Sequence, residues 1–208
     1  MPYYHYILHH PAVGKQGELR ALLEERVKAR AATGLRQGLG VRMFAQEPVL
    51  DTRIVHQDLA SLEAFQRAQE ASSAQAAFLA RMQPLLSRPN SQYLYRELVP
   101  VENPGTPGYV LRLLYQPAPG KGEELRAVLE ERAKSLNGQG VPTGLSARVV
   151  APDGPSFRAN VLFADLAAFQ RFTEGALTDA GARAFRAKVA AVAAGPTRQV
   201  LTRLLVTT

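Results

Sequence analysis

The chain carries one stretch of sequence twice. Residues 14–28 read GKQGELRALLEERVK and residues 120–134 read GKGEELRAVLEERAK, identical at 11 of 15 positions at an offset of 106. Ala64-Phe65-Gln66-Arg67 returns as Ala168-Phe169-Gln170-Arg171, and Gln92, Leu94, Arg96 and Leu98 answer to Gln199, Leu201, Arg203 and Leu205. Two copies of about 100 residues are too few and too long for a solenoid. They imply two homologous domains packed as a pseudo-dimer, in the way that a symmetric homodimer packs.

The order of elements can be read within each copy. Residues 3–10 form an apolar, aromatic run suited to a buried strand, ended by Pro11. Leu19, Leu22, Leu23 and Val27 make a stripe at the helical period, and Gly34, Gly38 and Gly40 supply the connection that follows. Strands are expected at 41–46 and 52–59. Ser61 is the expected N-cap of the next helix, which Ser72-Ser73 interrupts before a second segment bearing Phe78, Leu79 and Met82. A strand at 92–99 closes the half. The second half repeats the order: strand 109–116, helix 120–136, strands 145–150 and 157–163 around a turn at 152–155, a helix capped by Asp165 and broken within 175–181, and strand 200–206.

Each half therefore reads β-α-β-β-α-β. The connections give a four-stranded antiparallel sheet with both helices on one face and strand one between strands three and four. The other face carries Leu8, Val55 and Leu94 and needs a cover, which the second sheet can supply. Expected domains are 1–99 and 109–208, joined by a Pro/Gly-rich linker at 100–108. Because the duplication satisfies the sheet face internally, a monomer is expected, with further oligomerisation left open.

The duplicated unit resembles the dimeric α+β barrel superfamily, which has a ferredoxin-like fold. Tyr109-Val-Leu-Arg-Leu-Leu-Tyr115 followed by Pro119-Gly120-Lys121 is similar to the opening strand and turn of NIPSNAP-type domains. Residues 71–89, ending Phe-x-x-x-Met-x-Pro-Leu-Leu, are similar to the second helix of antibiotic-biosynthesis-monooxygenase-type domains. The resemblance implies an intrachain α+β barrel of two tandem repeats. It implies either a protein that binds a small apolar or aromatic ligand between sheet and helices, or a cofactor-independent monooxygenase or isomerase. Tandem barrels of the chlorite dismutase type bind haem through a His in their second half. This chain has no His there, so no cofactor is expected.

Composition narrows the classes further. With 46% apolar residues the chain can bury a sizeable core, and with no Cys it is no disulfide scaffold. No run approaches the ~20 apolar residues of a membrane span, and MPYYHYILHHP reads as a strand and not as a signal peptide. A cytoplasmic protein is expected. The net charge of +7 raises nucleic acid as a partner, but the Lys and Arg residues are scattered beside Glu, as in Glu24-Glu25-Arg26, and none is expected.

All four histidines, His5, His9, His10 and His56, lie in the first half, against Leu111, Tyr115, Gln116 and, by the offset of the repeated tetrapeptide, Asn160. Tyr6 and Tyr95 stand against Arg112 and Thr202. This asymmetry makes His5, Tyr6, His56 and Tyr95 the candidate ligand-binding residues, in a pocket expected to be larger and more polar in the first half than in the second. His5 and Tyr6 are adjacent, so alternation sends them to opposite faces. His5 and His9 share a face but stand ~13 Å apart along a strand. One ion cannot bridge them, and a zinc site needs three or four ligands. No metal is expected.

Overall fold

A computed structural model describes residues 1–149 and 156–208. The first repeat holds β1 (Tyr3–His9), α1 (Gln16–Ala31), β2 (Gln37–Arg42), β3 (Leu50–His56), α2 (Leu59–Glu70), α3 (Ser73–Met82) and β4 (Ser91–Val99). The second holds β5 (Tyr109–Tyr115), α4 (Gly122–Gly138), β6 (Thr143–Arg148), β7 (Phe157–Phe163), α5 (Leu166–Thr178), α6 (Ala180–Val192) and β8 (Arg198–Thr207). The fold is α+β: two β-α-β-β-α-β repeats whose strands hydrogen-bond in the order β1-β3-β2-β8-β5-β7-β6-β4 as a closed barrel. Val150 and the turn expected at 152–155 lie outside the described residues.

By contact density the chain divides into Met1–Tyr95 with Leu204–Thr208, and Arg96–Arg203, so β4 and β8 each begin in one unit and end in the other. The first unit's core gathers the apolar stripe of α1 (Leu19, Leu22, Leu23, Val27) with Leu39, Leu50 and Met82, and Leu205 and Val206 pack on it. The second core gathers Leu125, Leu129 and Ala133 of α4 with Val99, Tyr115, Leu145, Phe157 and Val189.

The starts of β6, α4 and β8 each differ by two residues from the sequence reading, and three further differences lie in the first repeat. The first concerns β2, which runs Gln37–Arg42 and not 41–46, so Gly38 and Gly40 lie inside a strand. Glycine in a strand often marks a close approach of another chain segment. A Cβ at Gly38 would lie 3.4 Å from the Val206 carbonyl oxygen, and one at its counterpart Gly144 only 2.7 Å from Val101 Cγ2. Phe44, with φ of +55°, is in a conformation no strand adopts. The second boundary is β3, which is Leu50–His56 and not 52–59. The third is the cap of α2, which is Asp58 and not Ser61. The Asp58 carboxylate accepts from the Ser61 N–H at 2.7 Å, and Ser61 Oγ accepts from the Asp58 N–H at 3.2 Å. That is a reciprocal capping box with Ser61 at the third helical position. The expected interruptions are present: Ser72 caps α3 and Asp179 caps α6.

Candidate functional site

Sheet register shows which residues of the two repeats are equivalent. Tyr3 pairs with His56 in β1–β3, and Tyr109 pairs with Phe163 in β5–β7. Gln37 pairs with Ile54, and Thr143 with Val161. The offset is therefore 106 as far as β6 and 107 from β7 onward. His56 corresponds to Phe163, which corrects the assignment to Asn160. The repeated tetrapeptide misleads because its offset of 104 is three residues short of the structural one. Three residues are nearly one helical turn, so Phe65 corresponds to Phe172 while Phe169 sits on almost the same face.

Each unit holds a cavity between its sheet and its helices, and the two are lined at corresponding positions. The first is about 360 Å³, the second about 690 Å³. In the first, β1 contributes His5, Ile7 and His9, α1 contributes Arg26 and Arg30, and α2 and α3 contribute Gln69 and Gln75. In the second, the same places hold Leu111, Leu113, Tyr115, Arg132, Leu136, Ala176 and Ala182. The pocket expected to be larger in the first half is the smaller one. The reason is volume: long polar side chains fill space in the first that leucine and alanine leave open in the second. The first is nevertheless the richer in polar groups.

Two histidines of the first cavity are held by side chains of their own unit. His9 is buried between Asn90 Oδ1 (3.1 Å from Nδ1) and Thr52 Oγ1 (3.0 Å from Nε2). The Asn90 NH₂ faces Met82 Sδ, so its carbonyl faces His9. Nδ1–H therefore donates to Asn90, and Nε2 accepts from the Thr52 hydroxyl. Burial, only partly offset by the Asn90 bond and the Asp51 charge, lowers His9 to about 4. His5 donates from Nε2 to Gln92 Oε1 at 2.8 Å, and its buried Nδ1 has no hydrogen-bond partner. Burial, followed by a smaller effect of the Arg30 charge, lowers its pKa against the raising effect of Gln92. His5 is thus a neutral imidazole with a lone pair at Nδ1.

The other expected site residues fall elsewhere. His56 is buried, with its ring 6.4 Å from His5 and 5.3 Å from Phe65. It stands behind the phenyl ring that lines the cavity. Burial and the neighbouring His5 lower its pKa. Tyr6 and Tyr95 pack edge to face at 5.9 Å; Tyr6 alternates with the cavity-lining His5 and Ile7 and so lies on the opposite face of β1. At the corresponding places Arg112 Nη1 donates to Thr202 Oγ1 at 2.8 Å. The structure therefore brings His5 and His56 together and sets Tyr6 and Tyr95 together on another face.

Sequence reasoning missed Arg26, Arg30, Gln69 and Gln75. Arg26 lies 4.7 Å over the Phe78 ring and Arg30 5.2 Å over Phe65. The Gln69 and Gln75 carbonyl oxygens each accept from both guanidinium groups. The signal was present in the pair Arg30/Leu136 at the repeat's own offset of 106, and in Gln69/Ala176 and Gln75/Ala182 once the offset of 107 is known.

No protein-family model and no curated protein matches the chain. Solved structures do. A candidate monooxygenase from Fusobacterium nucleatum superposes with a TM-score of 0.77 over 99% of this chain and 93% of its own, at 8% identity. One from Lactobacillus acidophilus gives 0.72 over 100% and 95%, at 10% identity. The chain has the dimeric α+β barrel fold. An anthrone oxidase-like protein shares that fold with a TM-score of 0.66 over 100% of this chain and 92% of its own, at 15% identity. At these identities the likeness carries architecture alone.

The second-half His that the resemblance to chlorite-dismutase-type barrels would require for haem has no counterpart in the second cavity. The second cavity offers Leu111, Leu136 and Val189 and no histidine. Its Tyr115 hydroxyl is pushed far up by burial and is a poor phenolate donor. Among the described residues no group of three or more His, Cys, Asp or Glu is placed to hold a metal ion. No described helix is long and apolar enough to cross a membrane.

Proposed function

We propose that this protein binds a small apolar or aromatic molecule between sheet and helices, as a NIPSNAP-like α+β barrel protein. The observation that carries this reading is the cavity of about 690 Å³ lined by Leu111, Leu113, Leu136, Phe172, Phe185 and Val189, with Thr173, Arg132, Arg186 and Gln199 among its polar groups. Size and lining match what small-molecule sites require: an apolar concavity with a few placed polar groups. Titration with 1-naphthol, a neutral aromatic, is expected to show saturable binding. The double variant Ala176→Leu/Ala182→Leu places two larger side chains among the cavity-lining residues and is expected to weaken that binding at least 10-fold. Affinity unchanged in that variant, with its fold intact by circular dichroism, overturns the reading.

A second reading, a cofactor-independent monooxygenase or isomerase of the antibiotic-biosynthesis type, is favoured by His5. A neutral imidazole in a cavity wall is the kind of group that removes a proton from a phenol or an activated C–H, and this reading requires substrate binding to uncover the buried Nδ1 lone pair. An anthrone supplied with oxygen tests it. Oxygen uptake is expected to fall at least 100-fold in His5→Leu, the magnitude associated with losing a general base. Equal uptake in both proteins, or none above buffer, removes the enzymatic reading and leaves binding alone.

A further inference from the structure

The charge in the first cavity asks for a ligand of its own. Arg26 and Arg30 line it one helical turn apart on α1. Both are half-buried, each lies over a phenyl ring, and their hydrogen bonds go to the neutral amides of Gln69 and Gln75. Among the described residues neither pairs with a carboxylate. Carboxylates are at hand on the same helix, but Glu24 pairs with Arg20 at 2.7 Å and Glu25 with Arg81 at 3.0 Å. Glu70 also lines the cavity, is exposed, and makes no ion pair with either arginine. Arg20, on the exposed face of α1, is thus neutralised while the two arginines in the cavity are not.

Partly buried charge is costly unless it is compensated. Burial, followed by the adjacent Arg26 charge, lowers Arg30 to about 10, so both arginines are cationic at neutral pH and repel one another. The bonds to the two glutamines all leave through Nη2, so each guanidinium keeps its Nη1 donors for a carboxylate. The second repeat keeps one cation over a ring, Arg132 over Phe185 at 5.5 Å, and has Leu136 in place of Arg30; its other lining arginine, Arg186, is exposed and donates to the Ala176 carbonyl at 2.7 Å.

We propose that the first cavity is an anion site that takes a small planar organic anion, an aromatic carboxylate, with its acid group between Arg26 and Arg30 and its ring beside Phe65 and Phe78. The inference rests on the reading that these cavities hold ligands, and it gives the two cavities different ligands. The test uses 1-naphthoate and its neutral analogue 1-naphthalenemethanol, titrated by calorimetry against the full chain carrying Ala176→Leu/Ala182→Leu, in which the second cavity is narrowed, and variants of the two arginines report on the first cavity alone.

Naphthoate is expected to bind at least 10-fold tighter than the alcohol. Adding Arg30→Leu, the residue of the second repeat, should remove that preference, and Arg30→Lys should keep part of it. The preference should also shrink as salt is raised. The melting temperature, measured in parallel, identifies a variant that has failed to fold, and Arg26→Leu then serves in its place. Equal binding of the two probes, or naphthoate binding unchanged in both arginine variants, overturns the anion site, while the binding reading is decided separately by 1-naphthol on the unsubstituted protein. If neither probe binds this chain and 1-naphthol does not bind the unsubstituted protein, both readings fall together.

Discussion

The two cavities are the same place in two copies of one fold, and they differ in almost everything a ligand would feel. His5, Arg30, Gln69 and Gln75 in the first become Leu111, Leu136, Ala176 and Ala182 in the second. The helices that flank them keep matched surfaces: Lys15–Glu18 and Lys121–Glu124 are both 2.7 Å pairs, as are Arg20–Glu24 and Arg126–Glu130. Backbone topology decides that a cavity exists between sheet and helices. A handful of side chains decides its volume and polarity. The contrast also shows that chemistry and size need not travel together, since the more polar cavity is the smaller.

The sharpest difference between the repeats is in acid. His9 is held near 4 in the fold, against 6.5 when unfolded, so between those values the unfolded chain binds the extra proton. Stability is then lost as pH falls from 6.5 through 4, with the full penalty present below 4. At pH 4 the loss from His9 is about 3 kcal/mol, and His5 and His56 act in the same direction. The counterpart Tyr115 has no such titration. Urea unfolding at pH 7 and pH 4 should therefore show a smaller acid loss in His9→Tyr than in the unsubstituted protein. An equal loss in both would remove His9 as the source.

A smaller effect separates the strand glycines. Gly144→Ala forces a methyl to within 2.7 Å of the stiff Val101 side chain and should cost about 2 kcal/mol. Gly38→Ala meets the Val206 carbonyl oxygen at 3.4 Å and should cost about 1 kcal/mol or less. Melting temperatures in the reverse order would show that the two close approaches are not the reason for glycine. Smallest of all is filling the larger cavity. Ala182→Leu places new apolar surface in open space and should stabilise by about 1 kcal/mol, while the equivalent Gln75→Leu removes an acceptor from Arg26 and should gain nothing. A matching gain at both positions would mean that the two cavities are energetically alike.

Much of the fold was legible because it rests on periodicity. The stripe Leu19, Leu22, Leu23 and Val27 is buried throughout, and Phe157–Phe163 is a strand as expected. Boundaries failed where a rule of local propensity met a tertiary demand. Gly38 and Gly40 read as a loop but form part of β2, where the Val206 carbonyl comes close to Gly38. Asp58 was passed over for Ser61, although the two residues cap the helix together. Of the site, the histidine asymmetry was visible, and alternation separated His5 from Tyr6. Arg30 and the two glutamines stayed hidden because they look like surface residues of amphipathic helices. A coincidental tetrapeptide also placed the two copies three residues out of step.

Residues 204–208 belong with the first unit, where Thr208 bonds the backbone of Gln37 across a sequence separation of 171 residues. This sets a timetable for synthesis. The ribosome emits β1 to α3 early, but the first core stays short of Leu205 and Val206 until nearly the whole second repeat has been made. Chains grow at ~5–20 residues per second, so the nascent first repeat waits on the order of ten seconds with the edge of β2 unpaired. Contacts of such long range also slow folding itself. In the cell, that interval is when this protein is most open to chaperones, to proteases and to mispairing with a neighbouring nascent copy.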